Sequence, residues 1–285
     1  MTRKSLFHFV LVGILWGIPY LLMKVAVEDF PPAAVVAGRT LIGASILIPV
    51  AIYRKTFKGA VLGFKYVAFY ALMEMIGPWI LITTAEQKID SGLAGLLVST
   101  VPIFATIITS LRGDHSVWQF KRIFGIVVGF IGLILVVGIE SLSGNSDPLS
   151  IAMVILAAMG YSYAVIMVTS NLPLVDGIAI NGLAMAITSV FWAPVAIAQW
   201  PSSISLNSAL SLLALGVFST AFAFIVFFKV MAEIGPARGS LVTYLNTAIA
   251  VVLGVIILKE PLTVGIVVGL PLVLVGSYLA SRKTA

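Results

Sequence analysis

Apolar residues occur along this chain in long runs that are separated by short polar turns. About 20 helical residues cover a hydrocarbon core of roughly 30 Å, and ten runs reach about that length. The pattern therefore predicts ten membrane-spanning helices, at 6–27, 32–53, 64–84, 91–111, 121–140, 149–170, 177–199, 208–231, 237–258 and 263–281. The turns between them often contain Pro, Gly or Asp, and none is long or polar enough to form a separate soluble domain.

Composition and charge support an integral membrane protein and indicate its orientation. Hydrophobic residues make up 60% of the 285 residues and charged residues 10%, whereas soluble domains contain about 25% charged residues. Most of the 17 Lys and Arg residues fall in segments that lie inside when the N-terminus is inside. The positive-inside rule therefore predicts cytoplasmic N- and C-termini.

The second half of the chain echoes the first. The segment GIVVGFIG from Gly125 matches GLPLVLVG from Gly269, 144 positions later, and the same offset places Ser99 on Thr243. Five spans per half is an odd number, so the second half must enter the membrane in the opposite sense. We expect two inverted five-helix repeats, 1–143 and 144–285, with a substrate site near the midplane between them.

Glu74 lies near the middle of the third predicted span. A carboxyl group at that depth is costly unless it is paired, neutralised or facing water, so Glu74 is a candidate functional residue. Pro78 predicts a kink one turn later. Tyr70 shares the helix face of Glu74, whereas Trp79 is expected about 140° away, against a neighbouring helix or at the outer interface, unless the kink redirects it.

Arg39 and Lys24 are basic residues in the outer parts of the second and first spans. Arg39 could pair structurally with Glu74, which could otherwise hold a substrate amine or a coupling proton. The guanidinium of Arg39 could instead bind a substrate carboxylate in bidentate fashion. Lys24, near the outer end of the first span, is expected to snorkel to the interface.

Small and polar residues recur every four positions in the fourth and ninth spans. One interpretation is close helix packing in lipid. The other is a ligand site, in which Pro102 frees a backbone carbonyl and Ser99, Thr243 and Asn246 offer polar groups. The two interpretations are compatible.

Several motifs carry a resemblance to a known family. They are Trp16-Gly17, Arg39, Pro102, the Gly-x6-Gly pair that ends each half, and YLNTAIAVVLGVIILKEPLT from Tyr244. Over essentially its whole length the chain resembles the EamA-type transporters of the drug/metabolite transporter superfamily, which include an amino-acid exporter. It departs from the family pattern at Thr247, where proline is usual, and at Asp114, where glutamate is usual.

The resemblance implies ten helices around a central cavity, lined mainly by spans 1, 3, 4, 6, 8 and 9. Aromatic residues on those spans, among them Trp16, Tyr20, Tyr163 and Phe222, suit a ligand with an apolar part. Because Arg39 is found widely in the family across differing substrates, a structural or gating role is favoured for it. Pro19, Pro78 and Pro102 are expected at kinks or gating positions.

We therefore expect a secondary transporter of the bacterial inner membrane that works by alternating access. Its substrate is expected to be an amino acid or a related amphipathic metabolite, with a drug or another metabolite as the alternative, and export follows from the resemblance alone. No G-x4-G-K-[ST] loop is present, so substrate or proton gradients would supply the energy. No cofactor, metal, nucleic acid or obligate protein partner is expected.

Two other classes of function are less well supported. An intramembrane enzyme is disfavoured because the two histidines, His8 and His115, lie near cytoplasmic ends and no H-E-x-x-H motif is present. A channel is disfavoured because single buried charges and mid-helix prolines do not make a charged ring.

Overall fold

The computed structural model describes residues 2–113, 119–142, 147–234, 239 and 242–281. Asp114 and His115 lie outside the described residues, as does the turn at Gly235–Pro236. Within the described part the chain is helical with short connections and contains no strand. The predicted all-α class is confirmed.

The described residues include the following eleven helices. They are α1 Arg3–Ala26, α2 Pro32–Tyr53, α3 Phe57–Leu62, α4 Phe64–Ala85, α5 Ser91–Leu111, α6 Phe120–Leu142, α7 Pro148–Asn171, α8 Gly177–Ala198, α9 Leu206–Ile234, α10 Val242–Ile257 and α11 Val264–Ser281. Among these residues seven helices are long and apolar enough to cross a membrane, and α10 and α11 are shorter apolar helices. The count of ten spans and the cytoplasmic termini stay predictions, and the short helix α3 was not expected.

Helices α4 and α9 depart from α geometry at matching places. A π-helical segment occupies Leu72–Ile76 in α4 and Leu215–Phe222 in α9. Adding the 144-residue offset to 72–76 gives 216–220, which lies inside the second π segment. Pro78 lies two residues after the end of the first π segment, whereas Pro19 lies inside the unbroken helix α1.

Helix α5 has a different irregularity. Its two α segments, Ser91–Val98 and Val101–Leu111, are separated by Ser99 and Thr100, and Pro102 is the second residue of the later segment. Proline cannot donate a backbone hydrogen bond, so it suits this first turn. The break therefore lies immediately before Pro102.

Glycines set the distance between the helices that end the two predicted halves. In α6 and α11, Gly276 lies against the backbone of Gly129, and a Cβ atom on Gly276 would be 2.7 Å from the carbonyl oxygen of Gly125. A Cβ atom on Gly132 would lie 2.8 Å from the backbone nitrogen of Val273. The glycines at these crossings allow backbone-to-backbone packing, as in small-residue contacts of membrane helices.

A second close approach involves α1 and α10. Gly17, in the Trp16-Gly17 motif, packs against Ile249, and a Cβ atom on it would lie 3.0 Å from the carbonyl oxygen of Asn246. A Cβ atom on Gly95 of α5 would lie 2.8 Å from the Cβ of Ala250. Helices α1, α5 and α10 therefore meet through small residues, which supports the packing interpretation of the predicted fourth and ninth spans.

Candidate functional site

A group of polar and aromatic side chains, which we call the central cluster, lies inside the bundle where α1, α2, α4 and α7 meet. Its guanidinium and carboxyl groups come from Arg39 and Glu74. Tyr161 is close enough to interact electrostatically with both of these and with Tyr20. Tyr70 also interacts electrostatically with Glu74. The cluster consists of Tyr20, Arg39, Tyr70, Glu74, Trp79 and Tyr161.

Arg39 is buried without a carboxylate partner. Its side chain is 6% exposed, and its guanidinium carbon lies 3.9 Å from the ring centroid of Trp79. Its Nη2 and Nε donate to the hydroxyl of Thr220 at 3.1 and 3.3 Å. Within the described residues the ion pairs join other groups, His8 with Glu233 and Lys88 with Asp147. A hydroxyl and an aromatic face therefore stabilise this charge, and no carboxylate in the described part of the chain pairs with it.

Glu74 is the second charge candidate of the cluster. Its Oε2 is buried and has no hydrogen-bond partner. The neighbouring hydroxyl of Tyr70 donates to Oδ1 of Asn181 at 3.1 Å. No ion pair joins Glu74 to Arg39 in the part of the chain that is described. The structure therefore gives no support to the structural pairing of these two residues.

Neighbouring helices contact the π segment of α4 at its carbonyl groups. The indole Nε1 of Trp192 in α8 donates a hydrogen bond to the oxygen of Ile76 at 3.1 Å. A Cβ atom on Gly160 of α7 would lie 2.8 Å from the oxygen of Met73, so α7 packs directly on this segment. An irregular turn of this kind is frequent at functional sites.

The π turn also corrects the expected position of Trp79. A uniform 100° per residue places Trp79 away from the face of Glu74, but the wider i→i+5 turn changes the direction of every later side chain. In the structure Trp79 is buried under the guanidinium of Arg39. Trp79 is therefore part of the cluster.

The break in α5 is hydrogen-bonded by hydroxyl groups of other helices. Ser277 donates to the oxygen of Ser99 at 2.9 Å, and Ser162 donates to the oxygen of Val101 at 2.9 Å. The hydroxyl of Ser99 donates to the oxygen of Leu96, and the side chain is 1% exposed. The backbone oxygens of Ser99 and Val101 at the break therefore accept hydrogen bonds from side chains of the protein itself.

The polar residues of α10 lie beside this break. Thr247 donates to the oxygens of Thr243 and Gly95 at 2.8 and 3.3 Å. Thr243 and Asn246 are half-buried. Helix packing and a ligand-facing role remain compatible for these two side chains.

The predicted aromatic residues divide into interior and surface positions. Tyr20 is buried, and half-buried Trp16 packs on Phe224 and Phe227 with centroid distances of 5.5 and 4.5 Å. Tyr163 is 37% exposed and packs on Phe69.

Phe222 lies apart from the cluster as well. It is 42% exposed and lines a lateral groove of about 250 Å³ between α2 and α9, together with Phe218 and Ile46. Tyr163 faces away from the central cluster, because Tyr161 lies in the cluster and residues two apart on a helix differ by about 200° in direction.

Two charged residues lie at the end of the bundle that is predicted to be outside. Lys24 extends to the turn that follows α4, where its ammonium donates to the carbonyl oxygens of Glu86 and Ile89 at 2.8 and 2.7 Å; its expected reach to the interface stays a prediction. Glu86, which the sequence places in an outer turn, is 0% exposed. Both residues lie where α1 contacts the turn that follows α4.

Outer turns from the two predicted halves are joined by carboxylates. Glu260 accepts hydrogen bonds from the backbone nitrogens of Ser91 and Gly92 at 2.8 and 3.1 Å and from the Ser91 hydroxyl at 2.9 Å. It thus caps the N-terminus of α5, where a negative charge is favourable. Asp29 accepts from the backbone nitrogen of Ser205 at 2.9 Å, and hydrogen bonds from Ser205 hold the pKa of Asp29 below its ordinary value.

Replacing Glu260 with alanine is expected to destabilise the protein by about 2 kcal/mol, because three hydrogen bonds to a charged cap are lost. Thermal unfolding in detergent measures this. Lys88→Ala is the matched control, since Lys88 is exposed and its 3.9 Å pair with Asp147 contributes little. Equal unfolding temperatures for the two variants would contradict the capping role.

Comparisons with known proteins agree with this architecture. The sequence profile of the EamA-like transporter family matches residues 3–138 and, separately, 148–282. The uncharacterized transporter YoaV of Bacillus subtilis is 27% identical over 285 residues, covering 97% of this chain and 96% of that protein. The uncharacterized inner membrane transporter YedA of Escherichia coli is 25% identical over 281 residues, covering 95% and 90%.

A solved crystal structure shares the fold. It superimposes with a TM-score of 0.70 at 15% sequence identity, and the match covers 99% of this chain and 97% of that one. At this identity the likeness concerns the fold alone.

Proposed function

Since the chain belongs to the EamA-like transporter family, we propose that it is a secondary transporter of small zwitterionic metabolites of the amino-acid class. It is a multi-pass membrane transporter of the bacterial inner membrane. Its substrate class, its mechanism and its topology are parts of the proposal.

The observation that carries the substrate class is the pair of ionisable groups in the central cluster that lack an oppositely charged partner among the described residues. Arg39 has no carboxylate partner and Glu74 has a buried oxygen without a donor, and they do not pair with each other among the described residues. A buried charge is favourable only when it is paired and hydrogen-bonded. A substrate with one carboxylate and one ammonium group supplies both missing partners.

The two roles follow from side-chain chemistry. The planar guanidinium of Arg39 binds a carboxylate through two parallel hydrogen bonds. The carboxylate of Glu74 accepts from an ammonium group. Tyr20 and Tyr161 lie close to Arg39, and their rings suit the apolar part of an amphipathic substrate. An amino acid with an apolar side chain fits this set best.

The proposed mechanism is alternating access by two inverted five-helix repeats, 1–143 and 144–285, with ten spans and both termini in the cytoplasm. The separate family matches and the π segments at corresponding places support this symmetry. In transporters of this kind the two repeats move against each other around a site near the midplane. Export is proposed from the family resemblance.

The test is counterflow in proteoliposomes that contain the purified protein and are preloaded with unlabelled amino acids. A uniformly labelled mixture of the common amino acids is added outside, and the accumulated label is identified by chromatography. Saturable accumulation of one class is expected, and it separates a carrier from a channel. Folded protein that accumulates none of them would contradict the proposed substrate class and favour a drug or another metabolite.

A further inference from the structure

The carboxyl group of Glu86 is a buried acidic group that the proposed substrate site does not use. Glu86 follows the last residue of α4. Its side chain is 0% exposed, and neither carboxyl oxygen has a hydrogen-bond partner among the described residues. A neutral carboxyl can remain in such a place, whereas an ionised one needs donors or a cation.

Several charged or titratable groups face Glu86 from the surrounding elements. Helix α1 contributes Tyr20 and Lys24, the turn after α4 contributes Asp90, and the turn after α10 contributes Glu260. Lys24 is the cation among them, and the two acids disfavour a third negative charge. Burial raises the pKa of Glu86 well above its ordinary value, and Lys24 opposes this shift.

We propose that Glu86 is a proton-binding site at the outer end of the bundle, and that its proton exchange with the outer aqueous phase controls the opening of that end during transport; this rests on the transporter function proposed above. In the proposed protonated state the carboxyl is neutral, and the ammonium of Lys24 binds the main-chain oxygens of Glu86 and Ile89, as it does in the structure. The proton that Glu86 releases goes to the outer aqueous phase and leaves a carboxylate.

That carboxylate attracts the nearest ammonium group, which belongs to Lys24. When the ammonium moves onto the carboxylate, the main-chain oxygens of Glu86 and Ile89 lose their donor. These two hydrogen bonds connect α1 to the turn after α4, so proton release loosens the outer end of the bundle. Rebinding of a proton restores the contact. Protonation and closure of the outer end are thereby linked.

Infrared spectroscopy tests the protonated carboxyl without any substrate. Full-length protein in lipid is titrated from acid to alkaline pH, and the C=O stretch of protonated carboxyl groups is followed. Glu86→Gln is expected to remove one titrating band. Glu28→Gln is the matched control, because Glu28 is an exposed acid near the same end and its removal should leave the band in place. A band that persists in Glu86→Gln would overturn the proposal.

A second variant keeps the test valid when Glu86→Gln does not yield monodisperse protein. Lys24→Gln removes the cation that favours ionised Glu86, so the midpoint of the titrating band is expected to move to higher pH by about one unit or more. An unchanged midpoint would overturn the proposal.

A transport measurement tests whether Glu86 makes transport depend on pH. In proteoliposomes with the labelled amino-acid mixture, an imposed pH gradient is expected to change accumulation in the unmodified protein at least about tenfold more than in Glu86→Gln. Counterflow in the unmodified protein that shows no response to the gradient would overturn the coupling while the proposed function stands. Absence of counterflow would count against the function, and the infrared test would still decide the protonation.

Discussion

Replacing Arg39 with glutamine is expected to lower amino-acid counterflow at least about 100-fold. Removing one partner of a buried, hydrogen-bonded charge pair weakens binding by about 2–5 kcal/mol, and about 2.7 kcal/mol corresponds to a factor of 100. The loss should appear mainly as weaker binding of the substrate carboxylate. Arg39→Lys keeps the charge without the planar fork, so an intermediate loss is expected for it.

The same variant separates the substrate role of Arg39 from a structural or gating role. In the structure the guanidinium contacts Thr220 and Trp79 and has no carboxylate partner among the described residues. Removing a buried charge that lacks a counter-ion is not expected to lower stability. Thermal unfolding of Arg39→Gln in detergent should match the unmodified protein. A large drop in unfolding temperature together with normal substrate affinity would identify Arg39 as a structural residue.

Replacing Glu74 with glutamine is expected to weaken binding of amino acids about 10- to 150-fold, because a hydrogen bond to a charged group contributes about 1.5–3 kcal/mol. The measurement is inhibition of counterflow by one amino acid and by its 2-oxo acid, which keeps the carboxylate and lacks the amine. The unmodified protein should prefer the amino acid, and Glu74→Gln should lose that preference.

Glu28→Gln serves as the matched control here too, since it removes one exposed carboxylate and should keep the preference. The residual transport of Glu74→Gln should still respond to a pH gradient, because the proton site is assigned to Glu86. Loss of the pH response in Glu74→Gln, with the amine preference intact, would move the coupling proton to Glu74.

The positions of the helices could be predicted from the sequence because the apolar runs are long and their ends are marked by turn residues. The third predicted span, 64–84, corresponds to α4 at Phe64–Ala85, and the sixth, 149–170, to α7 at Pro148–Asn171. The directions of side chains were harder to predict. Trp79 packs against a neighbouring helix, as one expectation had it, but its contact with Arg39 could not be predicted, because a π turn changes the angle between residues and no local pattern announces such a turn.

Long-range packing explains the remaining differences. Glu86 stands in the sequence next to Gln87 and Lys88, so it was grouped with the outer turns, and its burial arises from α1 and from the turn that holds Glu260. No sequence pattern reveals the carbonyl oxygens of Glu86 and Ile89 as the hydrogen-bond partners of Lys24. Glu74 and Arg39 could be identified because charged residues in apolar runs are rare.

The matching π segments of α4 and α9 have a mechanical consequence for the proposed cycle. A π turn is a place where a helix bends at low cost, because its hydrogen bonds are less regular than those of an α-helix. Two such turns at corresponding places give each predicted half a point at which it can bend. Bending one half while the other straightens then leaves the elastic energy of the pair nearly unchanged. The inward- and outward-open forms would stay close in free energy, so that substrate and proton binding decide which one is populated.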